Sequence, residues 1–131
     1  EIVKLEDVLH LYQAVGWTNY THQPQMLEQA LSHSLVIYVA LDGDAVVGLI
    51  RLVGDGFSSV FVQDLIVLPS YQRQGIGSSL MKEALKDYKD AYQVQLVTEE
   101  TEKNVGFYRS MGFEILSTYD CTGMIWINRE K

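Results

Sequence analysis

Apolar residues recur at helical spacing near the start of the chain: Val8, Leu11, Tyr12 and Val15 share one face between Asp7 and Gly16. This pattern predicts an amphipathic first helix capped by Asp7 and closed by Gly16. The polar and aromatic stretch from Trp17 to Pro24 reads as a loop, and Pro24 opens a short second helix carrying Met26, Leu27, Ala30 and Leu31. The pattern then changes to strands. "SLVIYVALDGDAVVGLIRLVGDG" predicts two of them, with turns at Asp42-Gly43-Asp44 and Asp55-Gly56, and a third runs from about Ser59 to Leu68. Helical spacing returns over Ile76 to Tyr88, with Ile76, Leu80, Met81, Ala84, Leu85 and Tyr88 on the buried face. A strand from Tyr92 to about Thr98 and a short helix over residues 101 to 111, closed by Gly112, follow. "FEILSTYDCTGMIWINR" predicts a final hairpin turning near Asp120 to Gly123. The order ααβββαβαββ is that of an α+β fold: a single mixed, mostly antiparallel central sheet flanked by helices, in one domain over residues 1–131.

Composition narrows the class of protein. With 47% hydrophobic and 21% charged residues in 131, the chain is expected to fold as one globular domain rather than stay disordered. No apolar run reaches the roughly 20 residues that span a bilayer, and no signal peptide is visible. The single cysteine, Cys121, excludes an intramolecular disulfide and suggests a reducing compartment, so a cytoplasmic location is expected. Cys121 itself is expected to be a small buried residue of the hairpin. The chain opens at Glu1 without a methionine, so native residues are expected before it. A net charge of −7 with no basic run argues against nucleic acid as a partner and weakly favours cationic substrates such as amines. His22 and His33 are isolated from other ligand types, so no metal is expected, and His10 falls on the polar face of the first helix.

Candidate chemistry centres on "LIVLPSYQRQGIGSSLMKEAL", Leu65 to Leu85, where a strand passes through Gly75 and Gly77 into a helix. A glycine turn at a helix start offers unpaired amides and the positive end of the helix dipole, a setting that favours an anion and above all a pyrophosphate. Arg73 adds a positive charge beside it. A dinucleotide fingerprint would need a small residue where Leu80 stands, and a P-loop would need a lysine after Gly77, where Ser78 stands.

"QRQGIG", Gln72 to Gly77, resembles the Q/R-x-x-G-x-G/A motif of the GNAT superfamily of acetyl-CoA-dependent N-acetyltransferases. "LIVLPSY" before it looks like that family's pantetheine-pairing strand, and "NVGFYRSMGF", Asn104 to Phe113, is similar to its later helix. The resemblance covers about residues 24 to 131. It implies the GNAT fold and acetyl-CoA as cosubstrate. It further implies that the backbone of Ile66 and Val67 pairs with pantetheine, with the Val67 N–H polarising the thioester carbonyl. By the same likeness Gln72, Arg73, Gln74, Gly75, Ile76, Gly77 and Ser78 wrap the pyrophosphate. Tyr108 falls at the family's general-acid position, protonating the departing thiolate, and Asn104, one helical turn earlier, faces the cofactor.

The chain departs from the family pattern in two places. The asparagine usual seven residues before the tyrosine is replaced by Thr101, and the strand slots that hold a base in some members carry Phe61 and Gln63. Asp64 is adjacent but points to the opposite face unless a bulge rephases the strand, and Glu99 and Glu100 are alternatives, so the base is left unassigned. Trp17, Tyr20 and His22 fall where such proteins shape access for the acceptor, although Trp17 also suits the core. The expected reaction is direct transfer of acetyl from acetyl-CoA to the primary amine of a small molecule or peptide. A noncatalytic CoA-binding sensor or subunit, and transfer of another acyl group, remain alternatives. The edge of the final hairpin offers a surface for pairing into a homodimer.

Overall fold

The computed structural model describes residues 4–128, which group into two units, one ending at Leu96 and the other beginning at Val97. In the first unit, helices α1 (Leu5–Ala14), α2 (Thr18–Thr21) and α3 (Pro24–Ser32) precede strands β1 (Val36–Asp42), β2 (Ala45–Gly54) and β3 (Val60–Val67). Helix α4 (Ile76–Asp87) then leads to the short strand β4 (Val94–Leu96). The sheet order is β1-β2-β3-β4, with the first three strands antiparallel and β4 parallel to β3. This is the mixed, mostly antiparallel sheet that the pattern predicts. Helix α1 starts earlier than expected, after Lys4, so Asp7 joins Glu6 in the first turn, where both complement the helix dipole instead of capping it. The segment read as a loop contains α2, a single turn.

β2 is the central strand of its three-stranded antiparallel part, and Val46 to Leu52 are buried without a break. Such a run marks a strand covered on both faces. On one face Val8, Leu11, Tyr12 and Leu27 pack against Val46, Leu49 and Ile66. α4 packs on β1, β2 and β3 and buries Leu80, Met81 and Ala84. Gly48 lets its N-terminus come close: a Cβ there would lie 3.2 Å from Ile76 Cγ2 and 3.3 Å from the Ile66 carbonyl oxygen. That glycine is the sheet's allowance for the start of α4.

The second unit holds α5 (Glu102–Ser110), capped by Thr101, whose Oγ1 accepts from the Asn104 N–H at 3.1 Å. The expected final hairpin is not formed among the described residues, and Arg129, its predicted last residue, lies outside them. Its first arm is taken up by a 3₁₀ turn, Leu116–Tyr119, closed by Asp120 in the left-handed region and by a Cys121 N–H to Leu116 carbonyl bond of 3.1 Å. Without that arm, Met124 to Ile127 have no partner strand among the described residues. Met124, Ile125 and Trp126 are therefore more than four-fifths exposed, and Cys121 is exposed rather than buried. The hairpin edge expected to serve dimer pairing is likewise not formed among the described residues. No helix among the described residues is long and apolar enough to cross a membrane.

Candidate functional site

The outer edge of β3 opens beyond its first three residues. β4 pairs with it over Val60, Phe61 and Val62, so among the described residues Asp64 to Val67 run on with no strand partner on that side. The Leu68 N–H donates to the Val47 carbonyl at 2.9 Å, which makes 47 and 68 a hydrogen-bonded pair. By antiparallel alternation the next pair, Gly48 and Val67, is a non-hydrogen-bonded one, and the Val67 N–H and C=O face away from β2. Ile66 pairs with Leu49 in the hydrogen-bonded phase, so its backbone groups are committed to β2. This corrects the expectation for Ile66: Leu65 and Val67 share the outward direction.

The edge runs into the glycine turn through a short 3₁₀ segment, Pro69–Tyr71. Two side chains hold that connection. Gln72 Nε2 donates to the Val67 carbonyl at 3.0 Å, and the Tyr71 hydroxyl donates to Asp42 Oδ2 at 2.6 Å. The Gln72 side chain thus ties the turn to the strand instead of lying free for a phosphate. Arg73 adopts φ +66° and Gly75 φ +82°, and Arg73, Gln74 and Gly75 are exposed. Gly75 is the N-cap of α4, no acidic residue stands in the first turn, and Ser79 is the residue whose N–H bonds back to the Gly75 carbonyl, at 3.0 Å. The amides of Ile76, Gly77 and Ser78 therefore have no intrahelical acceptor. A methyl group on Gly75 would meet no atom within 4 Å, so what requires glycine there is φ. Gly75→Ala is expected to lower stability by about 1–2 kcal/mol. Gly75→Asn, better tolerated in the left-handed region, is expected to cost less, and urea unfolding midpoints compare the two.

A buried polar cluster lies inside the sheet's α1 face. Arg51 Nε donates to Asp64 Oδ2 at 2.7 Å, and the Tyr12 hydroxyl donates to the same oxygen at 2.7 Å. Arg51 also reaches the Ser34 hydroxyl at 3.1 Å, and the Tyr20 hydroxyl lies 3.4 Å from Asp64 Oδ1. Asp64 and Arg51 are only 3% and 4% exposed. Burial and the carboxylate raise the Tyr12 phenol far above its ordinary range. Asp64 reaches this position because the β2–β3 register shifts: Leu52 pairs with Val62, and Arg51 pairs with Asp64. Gln63 is the extra, exposed residue of the bulge. The bulge puts Asp64 on the same face as Phe61. Sequence reading missed Arg51 and Tyr71; the signal for Arg51 was one charge inside an otherwise apolar central strand.

Trp17, Tyr12 and Tyr20 pack together, with ring centroids 5.0 to 6.4 Å apart, and His22 is exposed. In the second unit, Tyr108 is half-buried between Phe107 and Phe113, in edge-to-face contacts of 5.0 and 6.0 Å. Burial pushes its phenol up. Asn104 is half-buried on the same helix, while Glu99 and Glu100 are exposed. Thr101 caps α5, which gives the unexpected residue at that position a structural use.

A sequence model described as an acetyltransferase (GNAT) domain matches residues 33–115, which take in both the glycine turn and Tyr108. The chain belongs to the GNAT family. Among solved structures, a GNAT family acetyltransferase protein from Streptococcus pneumoniae TIGR4 is 91% identical, with a TM-score of 0.89 over 98% of this chain and 94% of that one. The GCN5-related N-acetyltransferase 1, chloroplastic, of Arabidopsis thaliana is 25% identical over 100% of this chain, which spans 66% of that protein's length. The PaiA N-acetyltransferase of Thermoplasma acidophilum, solved in complex with coenzyme A, shares the fold. It is 19% identical, with a TM-score of 0.72 over 88% of this chain and 86% of its own.

Proposed function

We propose that this GNAT chain transfers an acetyl group from acetyl-CoA to the primary amine of a small molecule or peptide. The observation that carries the reading is the continuity of one backbone track, from the outward-facing amide of Val67 to the acceptor-free amides of Ile76, Gly77 and Ser78 at the start of α4. Such a track suits a ligand that pairs like a strand at one end and carries a pyrophosphate at the other. The coenzyme A held by the Thermoplasma fold neighbour supports the same choice. Arg73, exposed beside the turn, supplies a charge for the phosphates.

In this reading the amine, freed of a proton to solvent, attacks the thioester carbonyl, and the Val67 N–H stabilises the oxyanion. The C–N bond forms, the C–S bond breaks, the CoA thiolate takes its proton from Tyr108, whose burial favours the protonated form, and the proton shed by the acylated nitrogen returns through solvent to the phenolate. The test combines calorimetric binding of CoA with thiol release from acetyl-CoA over polyamines, amino acids and peptides. Saturable thiol release with at least one amine class is expected; neither binding nor release would sink the proposal.

A second reading, a CoA-binding module without turnover, draws on the commitment of Asp64. It is the carboxylate that the bulge turns to the Phe61 face, and its Oδ2 is held by both Arg51 and Tyr12, which leaves no free base on β3. CoA binding with no release for any amine, unaffected by Tyr108→Phe, would favour it.

A further inference from the structure

Resting on the coenzyme A reading, we infer that the buried Arg51–Asp64 pair is a positioning device that selects the bulged register of β3 and so decides which amide faces the acyl donor. β2 allows two registers of β3. In the observed one, the bulge at Gln63 sets Asp64 opposite Arg51, Ile66 opposite Leu49 and Val67 opposite Gly48. Without the bulge, pairing would continue from Leu52–Val62 so that Gln63 met Arg51, Asp64 met Ile50 and Ile66 met Gly48. Every side chain beyond Val62 would then change face, because strand side chains alternate with a period of two.

Apolar residues do little to separate these alternatives. Leu65, Ile66 and Val67 are all suited to either face of a strand covered on both sides. The charges discriminate. In the slipped register Arg51 loses its carboxylate, and Asp64 turns toward α4, whose buried residues there are Leu80, Met81 and Ala84. A buried charge without its partner is strongly disfavoured. Tyr12 adds to the selection from α1, since its hydroxyl donates to the same Asp64 oxygen as Arg51.

The consequence falls on the donor track. A slip of one residue exchanges the hydrogen-bonding phase of the strand. The outward groups would then belong to Asp64 and Ile66, and the Val67 amide would turn in toward β2. The carbonyl that anchors Gln72 at 3.0 Å would turn with it, so the glycine turn would lose its tie to the strand. Arg51 and Asp64 touch no ligand in this scheme. They act through Val67.

The test replaces the cluster with apolar residues, Tyr12→Phe, Arg51→Met and Asp64→Leu together, a kind of exchange that often leaves a fold as stable as before. Cross-strand NOEs between positions 51 and 64 read the register directly, and calorimetry reads CoA affinity. The expected result is a second set of β3 amide signals and CoA binding at least about tenfold weaker, the loss of roughly one backbone hydrogen bond to the ligand. Deleting Gln63 in that background removes the bulge and leaves regular pairing of 64 with 51, so it is expected to restore both a single register and the affinity. A merely structural role predicts no such rescue. If the triple variant does not fold, Asp64→Asn, which keeps the shape and drops the charge, is read in the same two ways. A single native register in the folded variant overturns the inference whatever its CoA affinity, and a slipped register with unchanged affinity overturns the link to the donor. Failure of the unmodified protein to bind CoA refutes the coenzyme A reading instead, and the NOEs still decide whether the pair selects the register.

Discussion

Tyr108→Phe is expected to lower kcat for acetyl transfer by about 10²- to 10⁴-fold, the range for loss of a positioned general acid, while CoA affinity stays unchanged. The substitution keeps the ring and removes only the hydroxyl. Its contacts with Phe107 at 5.0 Å and Phe113 at 6.0 Å are edge-to-face ring contacts, so packing of α5 has no reason to change. Thermal midpoints of the two proteins should coincide. The pH profile gives an independent check. Desolvation disfavours the phenolate, so the Tyr108 pKa lies above its ordinary value, which is near 10. The acid is therefore in its donating form throughout the neutral range, and activity that depends on it falls only as pH rises beyond that ordinary value. In Tyr108→Phe that descending limb should vanish along with most of the rate. A profile that falls in the neutral range and is unaltered by the substitution would assign the limb to another group and remove Tyr108 from the mechanism.

Apart from the single turn of α2, which was read as loop, the elements of the first unit were legible because their periods are clean. Apolar spacing around Leu11 and Tyr12, turn residues at Asp42-Gly43-Asp44 and the glycine turn each depend on local chemistry that a short window contains. The glycine motif and the tyrosine motif were legible as a family resemblance for the same reason. What stayed hidden depends on pairing between distant residues. Whether β3 bulges is a property of its match to β2, and a run such as "VFVQDLIV" fits two registers equally well until Arg51 is placed opposite it. The outward direction of Val67, and the inward one of Ile66, follow from that register and could not be read before it. The missing hairpin has a related cause. "GMIWIN" has the composition of a strand, but a strand exists only with a partner, and the residues that would supply one form the 3₁₀ turn at Leu116–Tyr119. Thr101 illustrates the reverse case. It departs from the family pattern, yet its helix-capping bond to Asn104 follows from a local preference of threonine at helix starts.

The second large effect is expected from Asp64→Ala, which should destabilise the fold by about 3–5 kcal/mol, the cost of breaking one partner out of a buried ion pair. Asp64, whose carboxylate is removed, is 3% exposed, and Arg51, left behind, is 4% exposed. Ser34 and the Ala30 carbonyl remain as neighbours of Arg51, but neither carries a negative charge. The Tyr12 hydroxyl, fully buried, loses its 2.7 Å acceptor in the same step. Three elements therefore lose a common anchor: α1 through Tyr12, β2 through Arg51 and β3 through Asp64. Urea unfolding followed by tryptophan fluorescence is a suitable measure, because Trp17 packs directly on Tyr12, with centroids 5.9 Å apart. Removing the guanidinium as well, with Arg51→Met, should recover a large part of the loss, since the unpaired charge rather than the missing bond dominates it. If Asp64→Ala cost less than about 1 kcal/mol, the range of exposed ion pairs, water would have to reach Arg51, and the cluster could not discriminate between the registers of β3.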